Sequence, residues 1–163
     1  MSWLGPGEES GVLTCLCQGH GEGRLIQDAP RAIMRCGVSR AASYIRTDTD
    51  GELPTRDEQQ SAVRTYAAKA GHELVAAYED LGAPGVLLYH RPGLKEAINN
   101  VKELEDWEVL IVADPRCISD TASALHEFVH KFSLYGNRLE SPARTWEEFL
   151  AAMKAYRREM SQP

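Results

Sequence analysis

The stretch His126-Glu127-Phe128-Val129-His130 spells out a reaction in its residue types and spacing. A His-Glu-x-x-His run puts two imidazoles one helical turn apart, able to share a zinc ion, with the glutamate as general base. Glu147 or Glu148 would be the third ligand, and the chemistry would be that of a zinc protease. The surroundings oppose this. At about 100° per residue, both histidines fall off the apolar face formed by Leu125, Phe128, Val129 and Phe132 and are expected to point to solvent. Lys131 adds a charge where such sites are usually apolar. Cys15, Cys17, His20 and Cys36 form a second set of soft ligands, but Cys-x-Cys-x2-His followed by a long gap is not a common structural zinc spacing. No metal and no cofactor is assigned.

The elements that would position a site follow from periodicity. Residues 1–40 are rich in glycine and proline and hold no lasting period, so they read as a flexible or loosely packed extension. Met34, seven residues before the first strand, is an alternative start, and the intact mass of natively expressed protein tests it. Ala41 to Arg46 is a short apolar strand, followed by a polar loop to Pro54. Thr55 and Glu58 form a capping-box pair, and Ala62, Val63, Tyr66, Ala67 and Ala70 then recur at helical spacing up to a stop at Gly71. Glu73 to Glu79 reads as a second strand, buried on both faces. Pro92 suits the first position of a second helix, with Leu94, Ala97, Ile98, Val101 and Leu104 on its apolar stripe. Trp107 to Ala113 is the third and most apolar strand. A third helix spans about Ser119 to Leu134, and Asn137 to Glu140 is a short fourth strand. A last amphipathic helix, capped by Thr145 and Glu148, occupies 141–163 and carries Trp146, Phe149, Leu150, Met153 and Tyr156 on one side. This alternation predicts an α/β fold, a mostly parallel sheet with helices on both faces. Ligands of such sheets lie at the carboxyl ends of the strands, where Asp48, the 80–91 loop and Arg116 would converge.

Residues 41–140 resemble the catalytic domain of serine site-specific recombinases, the resolvase/invertase family. The resemblance rests on Tyr44-Ile45-Arg46-Thr47-Asp48, on Gln59-Gln60 and Arg64-Thr65-Tyr66-Ala67 in the first helix, and on Arg91-Pro92-Gly93-Leu94. It implies transesterification of DNA: a serine hydroxyl attacks a backbone phosphate while arginines neutralise the developing charge. A planar guanidinium fork suits that role because it meets two phosphate oxygens at once. Loss of one such donor typically costs on the order of 100- to 1,000-fold. By resemblance, Arg46, Arg91 and Arg116 are the arginines of the site, and position 48 is that of the nucleophile. Two departures stand out. Position 48 is Asp, whose carboxylate repels a phosphate and is expected to pair with Arg46 or Arg91. The family's Asp-Arg-Leu-x-Arg segment reads Asp114-Pro115-Arg116-Cys117-Ile118-Ser119-Asp120, with nothing basic where a second arginine belongs. Thr47 and Thr49 carry hydroxyls one residue off register, so an active recombinase would need a shifted nucleophile. Family members also continue into a long dimer helix and a DNA-binding region, which the sequence to Pro163 does not show.

The net charge of −6 argues against a stand-alone nucleic-acid binder. No apolar run approaches a membrane span, and no signal peptide opens the chain. A cytoplasmic protein with reduced cysteines is expected. The resemblance, with these departures, implies a resolvase-like module of DNA recombination with an impaired site acting in regulation or interaction, partnered by DNA, a recombinase or a second copy of itself along the last helix.

Overall fold

A computed structural model describes residues 38–82, 88–103 and 106–161. The expectations placed on residues 1–37, the Cys15, Cys17, His20 and Cys36 set among them, and on Leu104 lie outside the described residues.

The element order is β1 (Ser39–Arg46), α1 (Arg56–Ala70), β2 (His72–Asp80), α2 (Pro92–Glu103), β3 (Val109–Val112), α3 (Ala122–Leu134), β4 (Arg138–Glu140) and α4 (Trp146–Met160). Short 3-10 turns at Leu88–His90 and Pro115–Cys117 precede α2 and follow β3. All four strands are parallel, in the order β2-β1-β3-β4. Helix α1 covers one face, where Val63 and Ala67 meet Ala41, Val109 and Ile111. Helices α2, α3 and α4 cover the other, through Leu94, Ala97, Phe128, Phe132, Phe149 and Met153. Alternate residues of β1 divide between the faces: Ala41 goes to α1, Ala42 and Tyr44 to the opposite side.

Both predicted capping boxes are formed, Thr55 with Glu58 and Thr145 with Glu148. Gly71 closes α1 in the left-handed conformation (φ 74°), its N–H bonded to the carbonyls of Ala67 and Ala68.

β2 departs from expectation. It is an edge strand, not one buried on both faces, and Leu74 is 37% exposed. Its apolar centre gave no sign of this, because strand order is set by how the crossovers pack. The β1–β2 register slips at Ala41/Ala42, leaving Val75 as an extra residue. A bulge of this kind disrupts an edge that another strand might otherwise join.

Candidate functional site

The carboxyl ends of β1, β2 and β3 place the predicted residues on one side of the sheet. Arg46 is the last residue of β1 and is 3% exposed. Its Nη1 donates to the Arg116 carbonyl (3.0 Å) and its Nη2 to Asp120 Oδ2 (3.0 Å). Arg91, immediately before α2, is 4% exposed and donates from Nη1 to the carbonyls of Cys117 (3.0 Å) and Ile118 (2.7 Å). The two buried arginines thus grip one short turn, 116–118, from two sides. The Nε of each is buried without a partner.

Arg116 does not join them. Its backbone carbonyl serves Arg46, but its side chain is half exposed and forks onto Asp114 (2.8–3.2 Å). Those hydrogen bonds from Arg116 hold the Asp114 carboxyl below its usual range. Asp48 is half-buried in the loop after β1, where Oδ1 accepts the Gly51 N–H at 2.9 Å. The expected pairing of Asp48 with Arg46 or Arg91 is therefore replaced: Asp120 is the carboxylate on Arg46. The reason is local. Asp48 satisfies a turn donor three residues on, while Asp120 follows the turn that Arg46 already holds.

Gln59 stood in the sequence only as part of the Gln59-Gln60 pair, and nothing there pointed to the site-building contacts that it, Cys117 and Asp80 make. Gln59 is fully buried in α1 and uses all of its hydrogen-bonding capacity. Oε1 accepts from Arg46 N (3.2 Å) and Cys117 Sγ (3.2 Å); Nε2 donates to the carbonyls of Arg46 and Pro54 (both 2.6 Å). It joins the end of β1, the loop before α1 and the 116–118 turn. Burial pushes the Cys117 thiol up, so it stays protonated as the donor of that bond. Asp80, closing β2, accepts the N–H groups of Gly93 (2.9 Å) and Leu94 (3.0 Å) and the Tyr44 hydroxyl (2.9 Å). A carboxylate from a neighbouring strand thereby caps α2, whose preceding residue, Arg91, has no acceptor to do so. Burial, and then the Asp80 charge, push the Tyr44 phenol well above its ordinary range.

On the α1 face, Glu140 Oε2 accepts the Tyr66 hydroxyl (3.1 Å) and lies 2.9 Å from His72 Nε2. Burial and the Glu140 charge push the Tyr66 phenol up to about 12. A phenol raised on folding lends stability that is intact below pH 10 and lost as pH rises towards 12. Tyr66→Phe should flatten the loss of stability across that window by roughly 1 kcal/mol, since part of the 1.36 kcal/mol per pH unit is screened by solvent. Denaturant melts at pH 9 and 11.5 check this, and identical slopes for both proteins would refute it.

The two histidines of the zinc-like motif do not face open solvent as expected. α4 packs along α3, and both rings are half-buried beside it. The His126 ring lies tilted against Tyr156 (4.8 Å between centroids), and Arg157 Nη1 lies 3.3 Å from both ring nitrogens of His130. Desolvation, then the neighbouring Arg144 charge, lowers the affinity of His126 for a proton. Glu148 is committed to the α4 capping box. Among the described residues no group of three or more potential ligands converges on one point, and a guanidinium over one imidazole opposes a cation there.

The parallel four-stranded sheet flanked by helices has the fold of recombinase catalytic domains. The N-terminal catalytic domain of TP901-1 integrase superposes with a TM-score of 0.62 at 21% identity, over 76% of this chain and 100% of that one. A resolvase-family site-specific recombinase from Streptococcus pneumoniae gives 0.58 at 17% identity, over 75% and 88%. The C-terminal catalytic domain of ISC1926 TnpA, an IS607-like serine recombinase, gives 0.53 at 20% identity, over 63% and 66%. Comparison with curated protein sequences returned no match. The family model for the resolvase N-terminal domain matches residues 41–161, and the chain belongs to that family. Nothing in these comparisons supports the zinc-protease alternative.

Proposed function

We propose that this resolvase-family domain takes part in DNA recombination as a regulatory or interaction module whose strand-cleaving chemistry is impaired. The observation that carries this reading is the carboxylate at position 48, hydrogen-bonded into its own loop beside an arginine already held by Asp120. A phosphodiester approaching that position meets no hydroxyl nucleophile. It also meets an acidic loop: between residues 47 and 58, Asp48, Asp50, Glu52, Asp57 and Glu58 face a single cation, Arg56, which is itself bound to Glu79. The roles of Arg46, Arg91 and Arg116 as phosphate-binding residues, and of Asp48 at the nucleophile position, belong to this proposal.

A shifted nucleophile is the weaker reading. Thr47 Oγ1 accepts the Gly82 N–H (3.1 Å), and Thr49 Oγ1 donates to Asp50 in the exposed loop (3.4 Å). Among the described residues no base lies within about 3.2 Å of either hydroxyl, the Asp50 carboxylate being 3.4 Å from Thr49 Oγ1.

DNA is the substrate class that the family supports, and a recombinase or a second copy of the chain is the proposed protein partner. The outer side of α4, ending at the 70% exposed Met160, offers a surface for that partner. Among the described residues no helix is long and apolar enough to cross a membrane. A cytoplasmic location suits the free Cys117 thiol.

The test is cleavage of supercoiled and short duplex DNA by the wild type beside Asp48→Ser. The wild type is expected to leave no covalent protein–DNA adduct. Asp48→Ser is expected to leave at most a trace, on the order of 100-fold or more below an intact site, because a second arginine is missing. A wild-type adduct would overturn the reading and turn attention to Thr47, Thr49 or Asp48.

A further inference from the structure

We propose that Asp120 is a built-in counter-anion that half-occupies the phosphate-binding edge of Arg46, and that an incoming phosphate must displace it. This rests on the reading of Arg46 as a phosphate-binding residue. A guanidinium presents two donors side by side on its Nε/Nη2 edge, and a phosphate or carboxylate that fits this edge takes both. In this protein Nη2 donates to Asp120 Oδ2 at 3.0 Å, whereas Nε on the same edge is buried with no partner. Asp120 therefore makes one contact where two are available. The remaining edge is fixed by the Arg116 carbonyl, which keeps the fork facing Asp120.

The two partners differ sharply in exposure. The Arg46 side chain is 4% exposed and the Asp120 side chain 59%. An arginine held in place and an acid free to swing into water make a contact that opens on the acid's side. Asp120 also lines an open cleft of about 530 Å³, shared with Arg116, Ser119, His126 and Arg144. Arg144 has no carboxylate partner among the described residues and lies over the Phe149 ring. Asp120 thus joins this cleft to the buried Arg46 fork, and the cleft wall carries Arg116 and Arg144 together with the Asp114 carboxylate that pairs with Arg116.

Asp120→Asn keeps the shape and removes the charge; Asp120→Ser removes the reach as well. The full chain is titrated with inorganic phosphate at low salt, followed by calorimetry and by the arginine Nε–H signals in NMR. Both variants should bind phosphate roughly fivefold more tightly than the wild type, the scale of a lost exposed ion pair, with the Arg46 Nε–H signal moving. An unchanged affinity overturns the proposal. So does a gain that moves signals of Arg144 or Arg116 and leaves Arg46 still, or the absence of phosphate binding in all three proteins. Each of these outcomes leaves the impaired-cleavage reading untouched, since that reading is judged on DNA adducts.

Discussion

Gln59→Leu should lower the stability of the folded domain by about 4 kcal/mol, with the melting temperature falling by more than about 10 °C. Leucine fills a similar volume but offers no polar atoms. The substitution leaves the Arg46 N–H and the carbonyls of Arg46 and Pro54 without their partner, and also strands the Cys117 thiol. Gln59 is fully buried, so water has no ready route to these groups. Each buried backbone group left unsatisfied costs about 1–3 kcal/mol. The loss should reach the site as well, because Gln59 ties the end of β1 to the turn that both buried arginines hold. Gln59→Glu should be no better, since a carboxylate cannot donate to two carbonyls and would be buried as a charge. Gln60→Leu, one residue on and only half-buried, should change stability by less than about 0.5 kcal/mol. Urea denaturation of the three variants checks the set. A Gln59→Leu loss under about 1 kcal/mol would show that the loop 47–54 rearranges to satisfy itself.

Gly93→Ala should cost about 3 kcal/mol, the upper range for forcing extra volume into a packed interior. A Cβ at position 93 would sit 2.5 Å from the Glu79 carbonyl oxygen, 2.9 Å from its carbonyl carbon and 3.1 Å from its nitrogen. These are backbone atoms of β2 and cannot swing aside as a side-chain tip would. The close approach exists because Asp80, next in the strand, takes the N–H groups of Gly93 and Leu94. Pulling α2 off Asp80 would relieve the clash but expose those donors and release the Tyr44 hydroxyl. Arg91 lies at the start of the same helix, so its grip on the Cys117 and Ile118 carbonyls should loosen too. Calorimetric unfolding of Gly93→Ala is the measurement. A melting temperature within a degree of wild type would mean that α2 and β2 separate freely.

The motif Arg91-Pro92-Gly93-Leu94 was visible in the sequence as a helix start, and Pro92 explained why it starts there. The need for glycine was not visible, because the atoms that forbid a Cβ belong to Glu79, fourteen residues earlier in β2. Gln59 shows the same limit. On a helical wheel it is a polar residue one turn after a cap. Only the packing of α1 against the end of β1 makes it the most buried polar side chain of the site. The histidines of the His-Glu-x-x-His run lay off the apolar face of α3, as the wheel showed, yet Tyr156 and Arg157 of α4 lie against them and leave them half-buried.

By itself, the sequence determined the strand–helix alternation, both capping boxes, the left-handed stop at Gly71 and the apolar faces of α2, α3 and α4. These are short-range properties, set by side-chain periodicity and by hydrogen bonds spanning three or four residues. It also determined that position 48 carries a carboxylate and that Arg46 and Arg91 stand at element ends. Tertiary structure decided which carboxylate Arg46 would meet and that β2 would lie at the edge of the sheet. Those outcomes depend on residues 36 to 74 positions apart, such as Tyr44 with Asp80 or Arg46 with Asp120. Their distance is fixed by the crossover of whole elements, and no local period in the chain encodes it.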